Sequence, residues 1–75
     1  MEYNEKLKFY AEARRADAVK LHRIIDGDFV PYWVGTLRSK LVTLDASVKH
    51  QDRESAVNDA RAFRDSCREE LEQQQ

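Results

Sequence analysis

Backbone-breaking residues in this chain of 75 residues are confined to one short stretch, because Gly27, Pro31 and Gly35 are its only two glycines and its only proline. The remainder is rich in Ala, Leu, Arg, Lys, Glu and Gln, which lose little side-chain freedom in a helix. One interruption in a helix-favouring chain predicts helices on both sides of it. We read no sustained two-residue alternation and no β-branched cluster bounded by turn dipeptides, so no strand is predicted.

The apolar spacing then predicts three helices. Tyr3, Leu7, Tyr10, Ala11, Ala18, Leu21, His22 and Ile25 recur at three- and four-residue intervals and define a first helix over residues 3–26. Asn4 is placed to cap it, and Gly27 to end it as a left-handed residue. Val30, Trp33, Val34, Leu37, Leu41, Leu44 and Val48 define a second helix over 31–49, with Pro31 in its first turn. The stripe restarts in a new phase as Ala56, Val57, Ala60, Phe63, Cys67 and Leu71, which gives a third helix over 52–72 capped by Asp52. Residues 73–75 are a frayed tail of a single domain. The expected fold is an all-α antiparallel three-helix bundle. The alternative keeps helices two and three continuous as one long bent helix, forming a helical hairpin that dimerises.

Composition narrows the function. A chain this short buries only somewhat more than ~60% of its unfolded surface, so small domains often add disulfides, a metal or a partner subunit. Cys67 is the only cysteine, which excludes an internal disulfide and predicts a reducing, cytoplasmic setting with the thiol acting as a small buried hydrophobe. The N-terminus reads as charged, with no leader, and the longest uncharged run, Phe29–Leu37, is short of the ~20 residues that span a bilayer. Net charge is −1, against a strongly basic nucleic-acid binder, although basic residues dominate the first third and acidic ones the end. No phosphate loop or metalloprotease motif occurs. His22 and His50 stand apart, and Glu69 and Glu70 fall on different helix faces. No enzyme, metal or cofactor is expected, and no motif points to a family.

Association is therefore the expected mode of action, with a second copy, a larger protein, or both. The candidate partner-binding residues are Phe9, Ala13 and Ala16, forming a second apolar strip on helix one, and Arg14, which interrupts the main stripe. Arg14 either snorkels out and pairs with Asp17 or meets a carboxylate across an interface. Phe29 and Tyr32 at the bundle end complete the set as a docking knob or an apolar lid. The alternative function is a small DNA- or RNA-binding regulator. It would use Arg38 and Lys40 with Thr36 and Ser39, supported by Arg15, Lys20 and Arg23, to meet phosphates.

Overall fold

The computed structural model describes residues 2–45 and 48–74, and in it the chain runs helix, strand, strand, strand, helix. The elements are α1 (Tyr3–Ala11), β1 (Ala16–Ile25), β2 (Asp28–Leu37), β3 (Lys40–Leu41) and α2 (Arg53–Gln73). This α+β arrangement overturns the all-α three-helix bundle and, with it, the long-helix hairpin. Residues 16–25 leave the predicted first helix to become β1. The predicted second helix is replaced by β2, β3 and a loop. Ala46 and Ser47, also assigned to that helix, lie outside the described residues, as do Met1 and Gln75.

Asp26-Gly27 is the cause of the first difference. Both residues have positive φ, 51° and 85°, and they join Ile25 to its partner Asp28. A two-residue turn of that hand matches the twist of two antiparallel strands, and Asp-Gly is among its preferred sequences. The flanks suit strands, with Val19, Leu21, Ile24 and Ile25 on one side and Phe29, Val30, Tyr32, Trp33 and Val34 on the other. The ladder runs unbroken from Ile25↔Asp28 to Ala16↔Leu37. Pro31 is accommodated because its position opposite His22 directs the missing N–H away from β1. A second two-residue turn, Arg38-Ser39, also has two positive φ values, 51° and 66°, and leads into β3. Non-glycine residues held there cost of order 1–3 kcal/mol each.

The sheet has the order β1-β2-β3 and is antiparallel throughout. Residues paired across such a ladder share a face. Ala16, Ala18, Lys20, His22 and Ile24 therefore lie on one face with Leu37, Gly35, Trp33, Pro31 and Phe29. α2 packs on the proximal half of that face. It approaches so closely that a Cβ on Gly35 would sit 2.5 Å from the Ala56 carbonyl oxygen and 2.7 Å from the Ala60 Cβ. Ala56 and Ala60 are fully buried in that contact.

Leu37, Val42, Ala13 and Ala60 form the core beneath α2, and Leu7, Ala11 and Cys67 form a second cluster between the helices. Tyr10 and Phe63 belong to both, in an edge-to-face contact with ring centroids 5.3 Å apart. α1 ends at Ala11 where α2 supplies its missing donors. Arg68 Nε donates to the Ala11 carbonyl at 2.9 Å, and an Arg64 terminal nitrogen reaches the Ala13 carbonyl at 3.4 Å. Cations at a helix C-terminus also oppose its dipole. At its start α1 is preceded by Glu2 with no side-chain cap, so Asn4 does not serve that role.

α2 does follow the sequence pattern. Asp52 accepts the Ser55 N–H at 2.7 Å, and Ala56, Ala60 and Cys67 of the predicted stripe are buried. Among the described residues no helix is long and apolar enough to cross a membrane.

The Gly35 contact makes a direct prediction. Gly35→Ala forces α2 off the sheet and lowers stability by about 1–3 kcal/mol. A urea titration followed by circular dichroism checks this, with the midpoint falling at an unchanged slope.

Candidate binding surfaces

The molecule measures 49 × 22 × 18 Å, and the long hairpin accounts for one end of it. α2 covers the hairpin where Ala18 and Gly35 leave room for a helix. Past the Lys20↔Trp33 pair the strands continue for five more pairs without a helix above them. At the end of this arm Ile24 and Phe29 face one another across the ladder, 68% and 73% exposed. Ile25, on the reverse face beside the turn, is 40% exposed. Large aliphatic and aromatic side chains left in water at a projecting tip are a docking feature when they form a group.

The reverse face of the arm carries a different set. Tyr32 is half-buried there, with the Arg23 guanidinium 6.0 Å and the Lys49 ammonium 5.5 Å from its ring centre. Nearer the base, Val19 pairs with Val34 on this open face.

At the opposite end of the sheet a cleft of about 490 Å³ opens between the α1–β1 connection and the β2–β3 turn. Arg14, Arg15 and Arg38 line it, together with Ser39, Thr36, Glu12 and Asp17. The strained turn places the Arg38 guanidinium over the Phe9 ring, 4.1 Å from its centre, and an Arg38 N–H reaches the Phe9 carbonyl at 3.4 Å. Asp17, the predicted partner of Arg14, instead accepts from Arg53 at 2.6 Å and lies 3.9 Å from Arg15. Its carboxyl is held below the ordinary value by the Ala18 N–H first and the Arg53 guanidinium second.

A third constellation joins the loop after β3 to α2. Asp59 accepts the Thr43 hydroxyl at 2.9 Å and the Leu44 N–H at 3.1 Å, and its Oδ2 lies 3.1 Å from His50 Nε2. Burial alone opposes its ionisation. The Leu44 N–H, His50 and the Thr43 hydroxyl outweigh that and hold the carboxyl below its usual value. The trio resembles a hydrolytic triad only in composition. The hydroxyl donates to the carboxylate and not to the imidazole, so the histidine is not positioned to activate it. The arrangement is a clasp. It closes the loop onto α2, and the His50 carbonyl then accepts the Trp33 N–H at 2.8 Å.

The structure scatters the predicted partner-binding residues. Ala13 is 1% exposed and lies in the core, Ala16 packs against that core, and Phe9 is half-buried under Arg38. Arg14 opens onto the cleft, Phe29 stands at the arm's tip, and Tyr32 lies on the other face of the arm. The strip Phe9-Ala13-Ala16 is thus occupied within the chain, since Ala16 belongs to a strand. Of the basic residues, Arg15 and Arg38 share the cleft with Lys40 just beyond its turn, whereas Lys20 and Arg23 occupy opposite faces of the arm. Ile24 and Asp59 are functional candidates that the helical reading missed. The Asp26-Gly27 dipeptide between β-branched flanks carries the signal for the first; nothing local in the sequence marks the second. Burial, reinforced by the Glu70 carboxylate, pushes the Cys67 thiol up, which keeps it protonated against Leu7 and Ala11. Among the described residues no group of three or more His, Cys, Asp or Glu side chains is arranged to hold a metal ion.

Comparison with protein-family models, curated proteins and solved structures finds no match.

The clasp sets a pH dependence. A carboxyl whose pKa is lower folded than unfolded contributes stability above the unfolded value of ~3.9 and loses it as pH falls through the folded value. Asp59→Asn should therefore cost about 1 kcal/mol near neutral pH, the penalty for leaving half-buried donors poorly matched. The gap from the unmodified protein should close as the pH is taken below ~4, which thermal melts across a pH series would show.

Proposed function

We propose that this protein is a non-enzymatic binding module that engages another protein chain through its projecting β-arm. The observation that carries this reading is the Ile24–Phe29 pair, two large apolar side chains side by side at the tip and more than two-thirds exposed. Leaving such a pair in water forgoes roughly 1.5–3 kcal/mol of burial per side chain, a gain that a partner surface recovers. Aromatic and aliphatic anchors in the centre of a contact dominate the energetics of most protein interfaces. Their position favours docking, because the tip lies far from the core and can enter a partner's groove without disturbing the fold. The partner is a larger protein or a second copy, and a regulatory or accessory role in a reducing, cytoplasmic setting suits so small a module.

A second reading rests on a separate observation, the three arginines of the cleft. Arg14, Arg15 and Arg38 converge there with the Ser39 hydroxyl, a chemistry suited to the phosphates of DNA or RNA. Glu12 and Asp17 on the same rim weaken the local potential, which ranks this reading second. It expects a complex at low salt that dissociates steeply as salt rises and is lost in Arg14→Ala with Arg38→Ala. An electrophoretic shift titration decides it. Absence of any complex at micromolar protein and low salt rejects it.

For the first reading, Ile24→Asp combined with Phe29→Asp should abolish association while leaving circular dichroism and the melting temperature close to those of the unmodified protein. Light scattering coupled to gel filtration measures self-association over a concentration series, and affinity capture with quantitative comparison of the two proteins measures other partners. Unchanged association in the double variant rejects the arm as the docking element.

A further inference from the structure

The strand order leaves β1 at the edge of the sheet, and among the described residues no other strand pairs with its outer side. Backbone geometry fixes which groups that side presents. In a hairpin closed by a two-residue turn, Ile25 and Asp28 exchange ladder hydrogen bonds, and every second pair does the same. Odd-numbered residues of β1 therefore point their N–H and C=O groups at β2, and even-numbered ones point outward. Three contacts agree with this parity. On β2, the Trp33 N–H goes to His50 and the Gly35 carbonyl goes to Val42, both away from β1. On β1, the outward Ala18 N–H is taken by the Asp17 carboxylate at 2.8 Å.

That last bond, with Arg53 clamped on the same carboxylate, closes the proximal end of the edge. Lys20, His22 and Ile24 remain, all exposed, with their outward N–H and C=O groups open along the arm. Ten residues of β1 contain no proline and no break in register, two of the features that normally blunt an edge. The charged side chains along the open stretch share one sign. Lys20 stands on the helix face and Arg23 on the reverse, and no carboxylate lies between Asp17 and Asp26.

We propose that the open edge of β1 from Lys20 to Ile24 accepts an extended, acidic segment of a partner protein as an additional strand. This rests on the reading of the arm as the docking element and assigns the partner's chemistry. Main-chain hydrogen bonds from Lys20, His22 and Ile24 supply affinity, and alternate side chains supply specificity, as in other cases of strand addition. On the helix face an incoming carboxylate meets Lys20, and an incoming apolar residue covers Ile24 and reaches Phe29. On the reverse face a carboxylate meets Arg23 beside Leu21. Directly opposed opposite charges on adjacent strands attract, and opposed like charges repel.

The same rule disfavours a second copy. Pairing β1 with itself so that outward groups meet sets Lys20 against Lys20, against His22, or against Ile24, and never against a carboxylate. In the first of these registers Asp17 comes opposite Arg23, but Asp17 is already held by Arg53 and the Ala18 N–H. A lysine on an edge strand excludes basic strands and admits acidic ones.

The test uses the full chain, isotope-labelled, with a decapeptide of Val-Glu-Glu-Val-Glu repeated twice, which in antiparallel pairing sets glutamate opposite Lys20 and Arg23 and valine opposite Ile24, and its counterpart with lysine in place of every glutamate. Amide hydrogen exchange by NMR should show new protection at Lys20, His22 and Ile24 on addition of the acidic peptide. Leu21 and Arg23, already bonded to β2, should stay unchanged. His22→Pro removes one outward N–H without touching the β1–β2 ladder and should weaken binding about tenfold or more, as should Lys20→Glu with Arg23→Glu. Equal binding of the lysine peptide, protection confined to other residues, or no binding at millimolar peptide each overturns the proposal. So does protection of the same three amides in a concentration-dependent dimer without peptide. If the acidic peptide fails while Ile24→Asp with Phe29→Asp still abolishes partner association, the arm remains the docking element and only the acidic-strand assignment falls.

Discussion

The close approach of α2 to the backbone of β2 at Gly35 governs the rest of the structure. No side chain intervenes there. Ala56 and Ala60 meet the strand directly, and only hydrogen fits on the strand side. A helix can seat itself this low only where the sheet carries small residues, and Ala16, Ala18 and Gly35 provide that patch at the proximal end of the hairpin. Lys20 and Trp33 end the patch of small residues, and beyond them His22, Ile24, Phe29 and Pro31 on the same face are exposed. Two consequences follow from this one contact. The proximal half becomes a core around Leu37, and the distal half becomes an arm reached only on its reverse face, where Lys49 meets Tyr32, with exposed apolar residues at its end.

The remaining interactions hold that geometry in place. Arg64 and Arg68 of α2 satisfy the end of α1, so the two helices are joined by backbone capping as well as by the Leu7–Cys67 and Tyr10–Phe63 contacts. The Arg64 Nε is the one buried side-chain nitrogen or oxygen among the described residues that has no hydrogen-bond partner, with Asp65 the nearest carboxylate at 3.6 Å. Asp59 fastens the loop after β3 to the same helix. α2 is thus the common platform for α1, the sheet and the loop. A small domain gains rigidity from such sharing, which the modest size of its apolar clusters alone does not provide.

Sequence pattern and structure agree at α2 and diverge at the hairpin, for identifiable reasons. The third helix carries an N-cap, an apolar stripe and good helix formers, all pointing the same way, and it forms from Arg53 to Gln73. Residues 16–25 give conflicting signals. Ala16, Ala18, Lys20, Leu21 and Arg23 favour a helix by propensity, and Leu21 and Ile25 fall on a helical stripe with the residues before them. Val19-Lys20-Leu21-His22 equally alternates as a strand does, and Asp26-Gly27 is a hairpin turn as well as a helix stop. Tertiary pairing with the aromatic and β-branched run 29–34 decides between them, and that pairing is non-local. Phe29 stands out in the sequence as a docking knob or a lid, whereas Ile24 belongs to neither apolar strip of the expected helix, and only the hairpin register brings the two together. The Asp59 clasp depends on residues nine and sixteen positions apart meeting in space, so it leaves no periodic trace.

The most direct measurement of the central claim, that residues 16–37 form a hairpin whose distal half projects with an exposed tip, is a proton NMR map of contacts across the strands. Non-hydrogen-bonded antiparallel pairs bring Cα atoms to about 4.5 Å. Strong contacts between the Hα protons of Lys20 and Trp33, and of Ile24 and Phe29, are therefore predicted, together with rapid exchange of the outward amides of His22 and Ile24. Sequential amide–amide contacts running through residues 16–25, with the cross-strand contacts missing, would show a helix there and contradict the arm on which the proposed function rests.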